Sequence, residues 1–198
     1  MKKMSLALAV LAVMSSAAWA DPAGPWMVRV RLLHLDPANT NSNNLLPAEV
    51  SINSKTLPDV DVSYFWTPNI ATELVLTYPQ KQDVSLGGSK IGTLKHLPPT
   101  LTLQYHFNPG ATVQPYVGAG LNYTNFSGVD LPSGITIKKS SFGLALQAGV
   151  DVALGNNLYL NFDVKKVQIK TDILQNDARV DTLKVDPWLV GVGVGWRF

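Results

Sequence analysis

The side chains most able to do chemistry are sparse in this chain and far apart. Its three histidines, His34, His96 and His106, lie on three separate stretches, and the chain contains no cysteine. A zinc site needs three or four converging ligands, and nucleophilic catalysis needs a nucleophile placed beside a base. We find neither arrangement, so we expect no cofactor, no metal ion and no enzymatic activity.

Charged residues instead recur at every second position within apolar segments. Arg29 and Arg31 alternate with valine and leucine, and Asp59 and Asp61 alternate with valine. Seven such residues are predicted to form one set, Arg29, Arg31, Asp59, Asp61, Asp151, Asp163 and Arg197, and Glu73 and Lys165 fall on the same face. Because buried charges must be paired, the presence of both signs predicts that these side chains form a polar plug inside a narrow structure.

Alternation with a period of two, which is typical of β-strands, extends over eight segments. We predict strands at about Trp26–Leu35, Leu57–Trp66, Ala71–Tyr78, Thr100–Phe107, Gln114–Thr124, Ser141–Leu154, Leu158–Ile169 and Leu183–Phe198. In the seventh strand the alternation changes phase at Lys166. We expect a bulge there that returns Val167 and Ile169 to the apolar face.

The connections between these strands alternate in length. Three are short turns, Thr67–Asn69, Asn108–Thr112 and Gly155–Asn157. Four are long, Asp36–Thr56, Pro79–Leu97, Asn125–Ser140 and Thr171–Thr182. Short periplasmic turns and long outer loops are typical of bacterial outer-membrane barrels. We therefore predict an all-β fold, an eight-stranded antiparallel transmembrane β-barrel with long extracellular loops, short periplasmic turns and an apolar face toward lipid.

The N terminus predicts export. Lys2 and Lys3, an apolar run from Met4 to Met14, and Ala18-Trp19-Ala20 follow the order of a secretory signal peptide. We assign residues 1–20 to this leader and residues 21–198 to the barrel. Loss of the two lysines leaves 14 basic and 14 acidic residues, so no basic footprint for nucleic acid is present. We expect the mature chain to lie in the lipid of the cell outer membrane.

Aromatic residues fall at the predicted strand ends, on the apolar face. The row at the periplasmic edge is Trp26, Trp66, Phe107, Trp196 and Phe198, and the outer row is Tyr78, Tyr123 and Trp188. Two such rows mark the two membrane interfaces. Trp196 and Phe198 also end the last strand, and we interpret them as the signal by which the barrel-assembly machinery recognises the chain.

Three segments resemble one family. They are His96-Leu97-Pro98-Pro99-Thr100-Leu101, Pro115–Thr124 and Val185-Asp186-Pro187-Trp188. In this order and spacing they resemble the OmpW family of small outer-membrane barrels, which includes an alkane-uptake protein. The resemblance covers essentially the whole mature chain. It implies a narrow barrel that helps small hydrophobic molecules cross the outer membrane, from an apolar pocket near the outside and then sideways through the wall.

Pro98 and Pro99 give a physical reason for such a sideways exit. Proline donates no backbone N–H, so two in succession should part the fourth predicted strand from a neighbour. The alternative is that Pro98-Pro99 only ends the second outer loop above the bilayer. For the whole chain, the alternatives are a structural or adhesive barrel without transport, and an outer-membrane enzyme.

Overall fold

The computed structural model describes residues 24–41, 48–76 and 78–198 of the chain, and the predicted leader, residues 1–20, lies outside them. Across these ranges the chain forms fifteen β-strands. Eight form the barrel wall: β1 (Trp26–Asp36), β4 (Lys55–Phe65), β5 (Ile70–Leu76), β8 (Thr100–His106), β9 (Val113–Asp130), β11 (Ser140–Gly155), β12 (Leu158–Val167) and β15 (Trp188–Arg197). In the same residues, no helix is long and apolar enough to cross a membrane.

The wall closes on itself through antiparallel pairing. β1 pairs with β4 on one side and with β15 on the other, and β9 pairs with β11 to complete the ring. The first and last strands are tied at their ends, where the Trp26 and Phe198 N–H groups donate to each other's carbonyl oxygens at 3.0 and 2.8 Å. Closure removes free strand edges, whose backbone N–H and C=O groups would find no hydrogen-bond partner in lipid.

The burial pattern is the inverse of that of a soluble protein. Leu32 and Leu146 are 61% and 64% exposed in the middle of the outer face, whereas Arg29 and Asp61 inside the barrel are fully buried. A continuous exposed apolar belt of this kind matches hydrocarbon, and the confined interior of an eight-stranded barrel is filled by side chains. The predicted inside-out assignment of the two strand faces is confirmed.

Exposed aromatic side chains border the apolar belt at both edges. Trp66, Tyr105, Phe107, Trp196 and Phe198 lie at the periplasmic edge, and Tyr78, Tyr123, Phe142 and Trp188 lie at the outer edge. Seven of these nine positions are those predicted from the sequence. Tyr105 and Phe142 were not predicted, and Phe142 belongs to the outer row because it pairs directly with Tyr123. Trp26, which was predicted for the periplasmic row, is only partly exposed.

The long connections consist mainly of strands. They contain β2 (Thr40–Asn41), β3 (Val50–Ile52), β6 (Gln80–Leu86), β7 (Ser89–Leu97), β10 (Ile135–Ile137), β13 (Lys170–Gln175) and β14 (Ala178–Lys184). β7 continues the wall by pairing with the upper part of β9, and β6 pairs with β7 and β3. β10, β13, β14 and β2 form a second extracellular sheet. The barrel therefore extends well beyond the outer aromatic row.

The predicted bulge at Lys166 is wrong. Lys166 and Val167 pair with Leu146 and Ala145 in unbroken register. Val167 and Ile169 are 0% and 3% exposed and point into the barrel, not toward lipid. The apparent change of phase arises because the interior itself becomes apolar at this height, so an inward position there is filled by a hydrophobic residue.

Candidate functional site

The barrel interior changes chemistry along its axis. Its central part contains buried charges of both signs, here called the polar layer: Arg29, Arg31, Asp59, Asp61, Glu73, Asp151, Asp163 and Lys165. The extracellular part is a buried apolar cluster, here called the apolar vestibule: Leu33, Leu35, Val50, Ile52, Leu57, Val84, Leu94, Phe126, Ile137, Ala145, Val167, Ile169, Ile173, Leu183, Val185 and Leu189.

Arg29 links opposite walls of the barrel. Its Nε and Nη2 donate to Asp151 Oδ1 and Oδ2 on β11 at 3.1 and 2.7 Å. Its Nη1 donates to Asp61 Oδ1 and Ser63 Oγ on β4 at 3.2 and 2.8 Å. A guanidinium group held by two oxygens of one carboxylate is fixed in orientation as well as neutralised. The lumen is therefore bridged at this height.

Arg31 and Lys165 continue the same pairing toward the outside. Arg31 Nη2 lies 2.8 Å from Asp59 Oδ2 and 2.8 Å from Asp61 Oδ2. Lys165 Nζ lies 2.7 Å from Asp163 Oδ1 and 3.1 Å from Glu73 Oε1. Six of the seven residues predicted for the plug are thus brought together. Glu73 and Lys165 join them.

Arg197, the seventh predicted member, lies nearer the periplasmic end. Its guanidinium group lies over the Phe65 ring, 3.9 Å from the centroid, and its Nε donates to the Gly24 carbonyl oxygen at 2.9 Å. Phe65 itself belongs to a small buried apolar cluster with Met27, Ala71 and Tyr159. Arg197 therefore packs against the lower end of the interior.

Neutral polar side chains complete the polar layer. Tyr116 OH donates to Asp163 Oδ2 at 2.7 Å and accepts from Asn161 Nδ2 at 3.0 Å. Gln147 Nε2 donates to Asp163 Oδ2 at 2.6 Å and to Glu73 Oε1 at 3.1 Å. We did not predict a role for Tyr116. The sequence could have indicated one, because Tyr116 lies two positions from Gln114 and two from Gly118 on β9 and therefore shares their inner face. In the part of the chain that the structure describes, no group of histidines and carboxylates could hold a metal ion.

Glycine on β15 makes room for the arginines. Gly193 and Gly195 pair with Arg31 and Arg29 of β1. A Cβ at Gly193 would collide with the Val30 carbonyl oxygen and lie 2.8 Å from Arg31 Cγ. The methylene stem of Arg31 lies across the bare backbone of its neighbour, which lets the guanidinium group reach the centre of the lumen.

The apolar vestibule encloses unfilled space at two heights. A cavity of about 40 Å³ among the extracellular strands is lined by Val84, Leu94, Ile137, Ile173, Leu183 and other apolar side chains, with Thr171 as the one polar contributor. A second cavity, of about 20 Å³, lies lower and is lined by Leu33, Leu57 and Leu189 from above and by Asp59 and Lys165 from below. The second cavity therefore lies where the apolar vestibule meets the polar layer.

Pro98 and Pro99 join β7 to β8 at the height of this second cavity. Their pairing with β9 continues, because Leu97–Asn125 and Thr100–Asn122 share one register and Tyr123 N donates to the Pro99 carbonyl oxygen at 3.1 Å. On the other flank the register changes. The β5–β8 ladder ends at Val75–Thr100 and the β6–β7 ladder resumes at Gln80–His96. Between these two ladders the chain has four positions, 76–79, on the side of β5 and β6 and three positions, 97–99, on the side of β7 and β8.

The two prolines separate an inner space from an outer one. Pro98 lines the lower cavity inside the barrel. Pro99 lines a groove of about 210 Å³ on the lipid-facing surface, between Leu74, Leu101, Leu121 and Tyr123. Because the Pro99 carbonyl oxygen accepts from β9, residue 99 faces β9 and residue 98 faces β5 and β6, so the wall lacks the Pro98 N–H on that flank.

The two residues predicted as an assembly signal lie together at the periplasmic edge. Trp196 and Phe198 are 56% and 49% exposed toward lipid, and their ring centroids are 5.2 Å apart. Neither contributes to the interior.

A closed antiparallel wall, an apolar outer face and two aromatic rows define a transmembrane β-barrel. Residues 22–198 match the sequence model of the OmpW family. Outer membrane protein W of Vibrio cholerae serotype O1 is 34% identical over 218 residues, covering 100% of both chains. The chain belongs to the OmpW family, and it is an outer-membrane protein.

Solved structures agree with this assignment. The crystal structure of the outer membrane protein OprG from Pseudomonas aeruginosa superposes with a TM-score of 0.76 at 30% identity, over 88% of this chain and 96% of that one. The solid-state NMR structure of the outer membrane protein AlkL in DMPC lipid bilayers gives a TM-score of 0.68 at 27% identity, over 92% and 93%. The predicted fold class and location are confirmed.

Proposed function

We propose that this barrel conducts small hydrophobic molecules from outside the cell into the apolar vestibule and releases them sideways, beside Pro98 and Pro99, into the bilayer. The role is passage without catalysis. The observation that carries the proposal is the position of the lower cavity, which has apolar side chains above it and ion pairs below it. Its side wall contains the proline segment, which is paired with β9 but not with β5 or β6.

Energetics favour the sideways route over the axial one. An apolar molecule that passed down the axis would have to separate Arg29 from Asp151 and Arg31 from Asp59 while offering no hydrogen bonds in return. Release beside Pro99 keeps the molecule in apolar surroundings. Burial of each methylene group there is worth about 0.8 kcal/mol relative to water.

The proposal is tested by uptake of a small apolar dye into vesicles that contain the refolded chain. Pro98→Ala/Pro99→Ala restores one backbone N–H donor, at residue 98, on the flank where the register changes and one, at residue 99, toward β9, so the gap should narrow and uptake should slow while the barrel still folds. Pro58→Ala is the matched control, because Pro58 faces lipid within β4 and lies away from Pro98 and Pro99.

Two outcomes would contradict the proposal. If the double proline variant transports at the normal rate while Asp59→Asn/Asp61→Asn slows uptake, the cargo passes down the axis. If wild-type vesicles take up the dye no faster than empty vesicles, the barrel has a structural or adhesive role.

For biogenesis, we propose that Trp196 and Phe198 are read by the barrel-assembly machinery. Their exposure at the periplasmic edge supports this role, because both rings are accessible at one corner of the barrel. Trp196→Ala/Phe198→Ala should reduce the amount of assembled barrel in cells far more than it reduces refolding of purified chain into vesicles. Equal losses in both assays would assign the two residues to stability alone.

A further inference from the structure

The second extracellular sheet carries a cluster of exposed cations beside the outer aromatic row. Lys138, Lys170, Arg179 and Lys184 line one open cleft of about 540 Å³, together with Ser140, Ser141, Thr182 and Asp172. Within residues 24–41, 48–76 and 78–198, none of these four cations forms a side-chain ion pair. Asp172, the one carboxylate of the cleft, accepts a hydrogen bond from Thr182 Oγ1 at 2.7 Å. The cleft therefore has a marked excess of positive charge.

Two of the cations are placed against each other by the backbone. Lys170 on β13 and Lys184 on β14 are direct cross-strand partners, and both are exposed on the outward face of the sheet. The Lys170 N–H is held by Ser141 Oγ at 3.0 Å, which anchors this end of β13 to the barrel wall. Like charges at directly opposed positions destabilise a sheet. An anion bound between them would convert this repulsion into attraction.

The surroundings of the cleft indicate which anion fits. Phe142, 63% exposed in the outer aromatic row, lines this cleft and also an adjoining cleft of about 280 Å³ that again contains Lys170 and Lys184. Slightly lower, Lys166 Nζ lies 4.9 Å from the centroid of the Trp188 ring at the same membrane edge. Cations therefore lie directly above a lipid-facing ring. This arrangement matches a lipid whose phosphate lies at the interface and whose acyl chains lie below it.

We propose that the cleft formed by Lys138, Lys170, Arg179 and Lys184 binds the phosphorylated headgroup of an outer-leaflet glycolipid, with its acyl chains against Phe142. Phosphate oxygens accept charge-assisted hydrogen bonds from lysine and arginine. The bound lipid would fasten the second extracellular sheet to the membrane surface. The site lies outside the barrel wall and is independent of the proposed route for hydrophobic cargo.

The test is binding of diphosphorylated lipid A to the refolded full chain in neutral detergent, compared with dephosphorylated lipid A and with inorganic phosphate. We expect the diphosphorylated lipid to bind at least tenfold more tightly than the dephosphorylated form. Lys170→Gln/Lys184→Gln should remove most of this difference. Equal affinities of the two lipids would overturn the proposal, and so would inorganic phosphate that competes at the same concentration as the lipid.

A matched control exists on another hairpin. Lys81 and Lys95 are also direct cross-strand partners on exposed positions, in β6 and β7. Lys81→Gln/Lys95→Gln removes the same charge and should leave lipid A binding within twofold of wild type. If this control variant loses as much affinity as Lys170→Gln/Lys184→Gln, the attraction is a general effect of surface charge and the assigned site is wrong.

Unfolding stability gives a second readout, in which the difference between wild type and Lys170→Gln/Lys184→Gln should change sign when the lipid is added. Without phosphorylated lipid, Lys170→Gln/Lys184→Gln should unfold at an equal or higher urea concentration than wild type, because the repulsion is gone. With diphosphorylated lipid A present, the wild type should unfold at the higher concentration, since a ligand of the native state stabilises it. The same order of the two proteins in both conditions would contradict the proposal.

Discussion

The polar layer and the apolar vestibule share strands of the barrel wall yet differ completely in the chemistry of their side chains. On β1, Arg29 and Arg31 point inward and are followed two and four residues later by Leu33 and Leu35, also inward. The outward residues Val28, Val30 and Leu32 are apolar, and the outward residues beyond them, His34 and Asp36, are polar. The lipid-facing belt is therefore specified by the outward positions around the polar layer, and the inward positions set one chemistry below and another above.

The largest expected effect comes from breaking the polar layer at a carboxylate whose two oxygens are both hydrogen-bonded. Both oxygens of Asp151 accept from Arg29, and Oδ1 also accepts from Asn161. Asp151→Asn should lower the free energy of unfolding by roughly 3–5 kcal/mol, the range for losing one partner of a buried ion pair. Urea unfolding in lipid vesicles measures it.

Asp59 supplies the matched comparison within the same layer. Its Oδ2 accepts from Arg31, but its buried Oδ1 has no hydrogen-bond partner. The polar layer contains five carboxylates and three cations among the residues described, so neutralising Asp59 also relieves repulsion. Asp59→Asn should therefore cost clearly less than Asp151→Asn. If Asp59→Asn costs as much, the geometry of the individual pairs does not set their contribution.

A somewhat smaller effect is expected from placing an arginine on the lipid-facing side of the wall instead of the inner side. Val192 pairs with Leu32 and faces lipid, one position away from the buried Arg31–Gly193 pair. An arginine costs roughly 2–4 kcal/mol near the bilayer midplane on the lipid face. Val192→Arg should destabilise the barrel by about this amount in vesicles, and Val192→Ala should cost much less. Equal stability of Val192→Arg and wild type would refute the assignment of faces.

The contrast between the two regions also explains what could be predicted from the sequence. Alternation identified all eight wall strands and put Arg29, Arg31, Asp59 and Asp61 inside, because a period of two assigns each residue to a face. The same rule failed at Val167 and Ile169. It assumes that apolar means outward, which holds in the polar layer but not in the apolar vestibule.

Long-range pairing accounts for most of what the sequence did not predict. The extracellular strands β6, β7, β13 and β14 lie in segments with weak or irregular alternation, and their place is set by partners such as the upper part of β9. The change of register beside Pro98 depends on how many residues β5 and β6 leave between their ladders. From the sequence, the proline pair shows that two backbone N–H donors are missing. It does not show which of the two neighbouring strands loses its hydrogen bonds.

The smallest predicted effect is a pH dependence confined to the apolar vestibule. Burial, with a contribution from nearby Lys55, lowers the pKa of His96 to about 4. In the unfolded chain this pKa is about 6.5. The unfolded state therefore binds the extra proton between these values, so the free energy of unfolding should fall as the pH falls from about 6.5 toward 4.

His96→Gln removes this contribution while the carboxylates continue to titrate. Urea midpoints at pH 7.5 and pH 5.0 should therefore fall further for the wild type than for His96→Gln. The same fall in both proteins would show that His96 does not titrate differently in the folded and unfolded chain.

The central claim, that apolar molecules reach the apolar vestibule but do not pass the polar layer, is tested most directly by thiol labelling. The native chain has no cysteine, so a single introduced thiol reports on its own position. Leu57→Cys lies at the floor of the apolar vestibule, and Ser63→Cys lies on the same strand below Asp59 and Asp61. With a small apolar maleimide added only outside vesicles, the account predicts rapid labelling at position 57 and at least tenfold slower labelling at position 63. Equal rates at the two positions would contradict it.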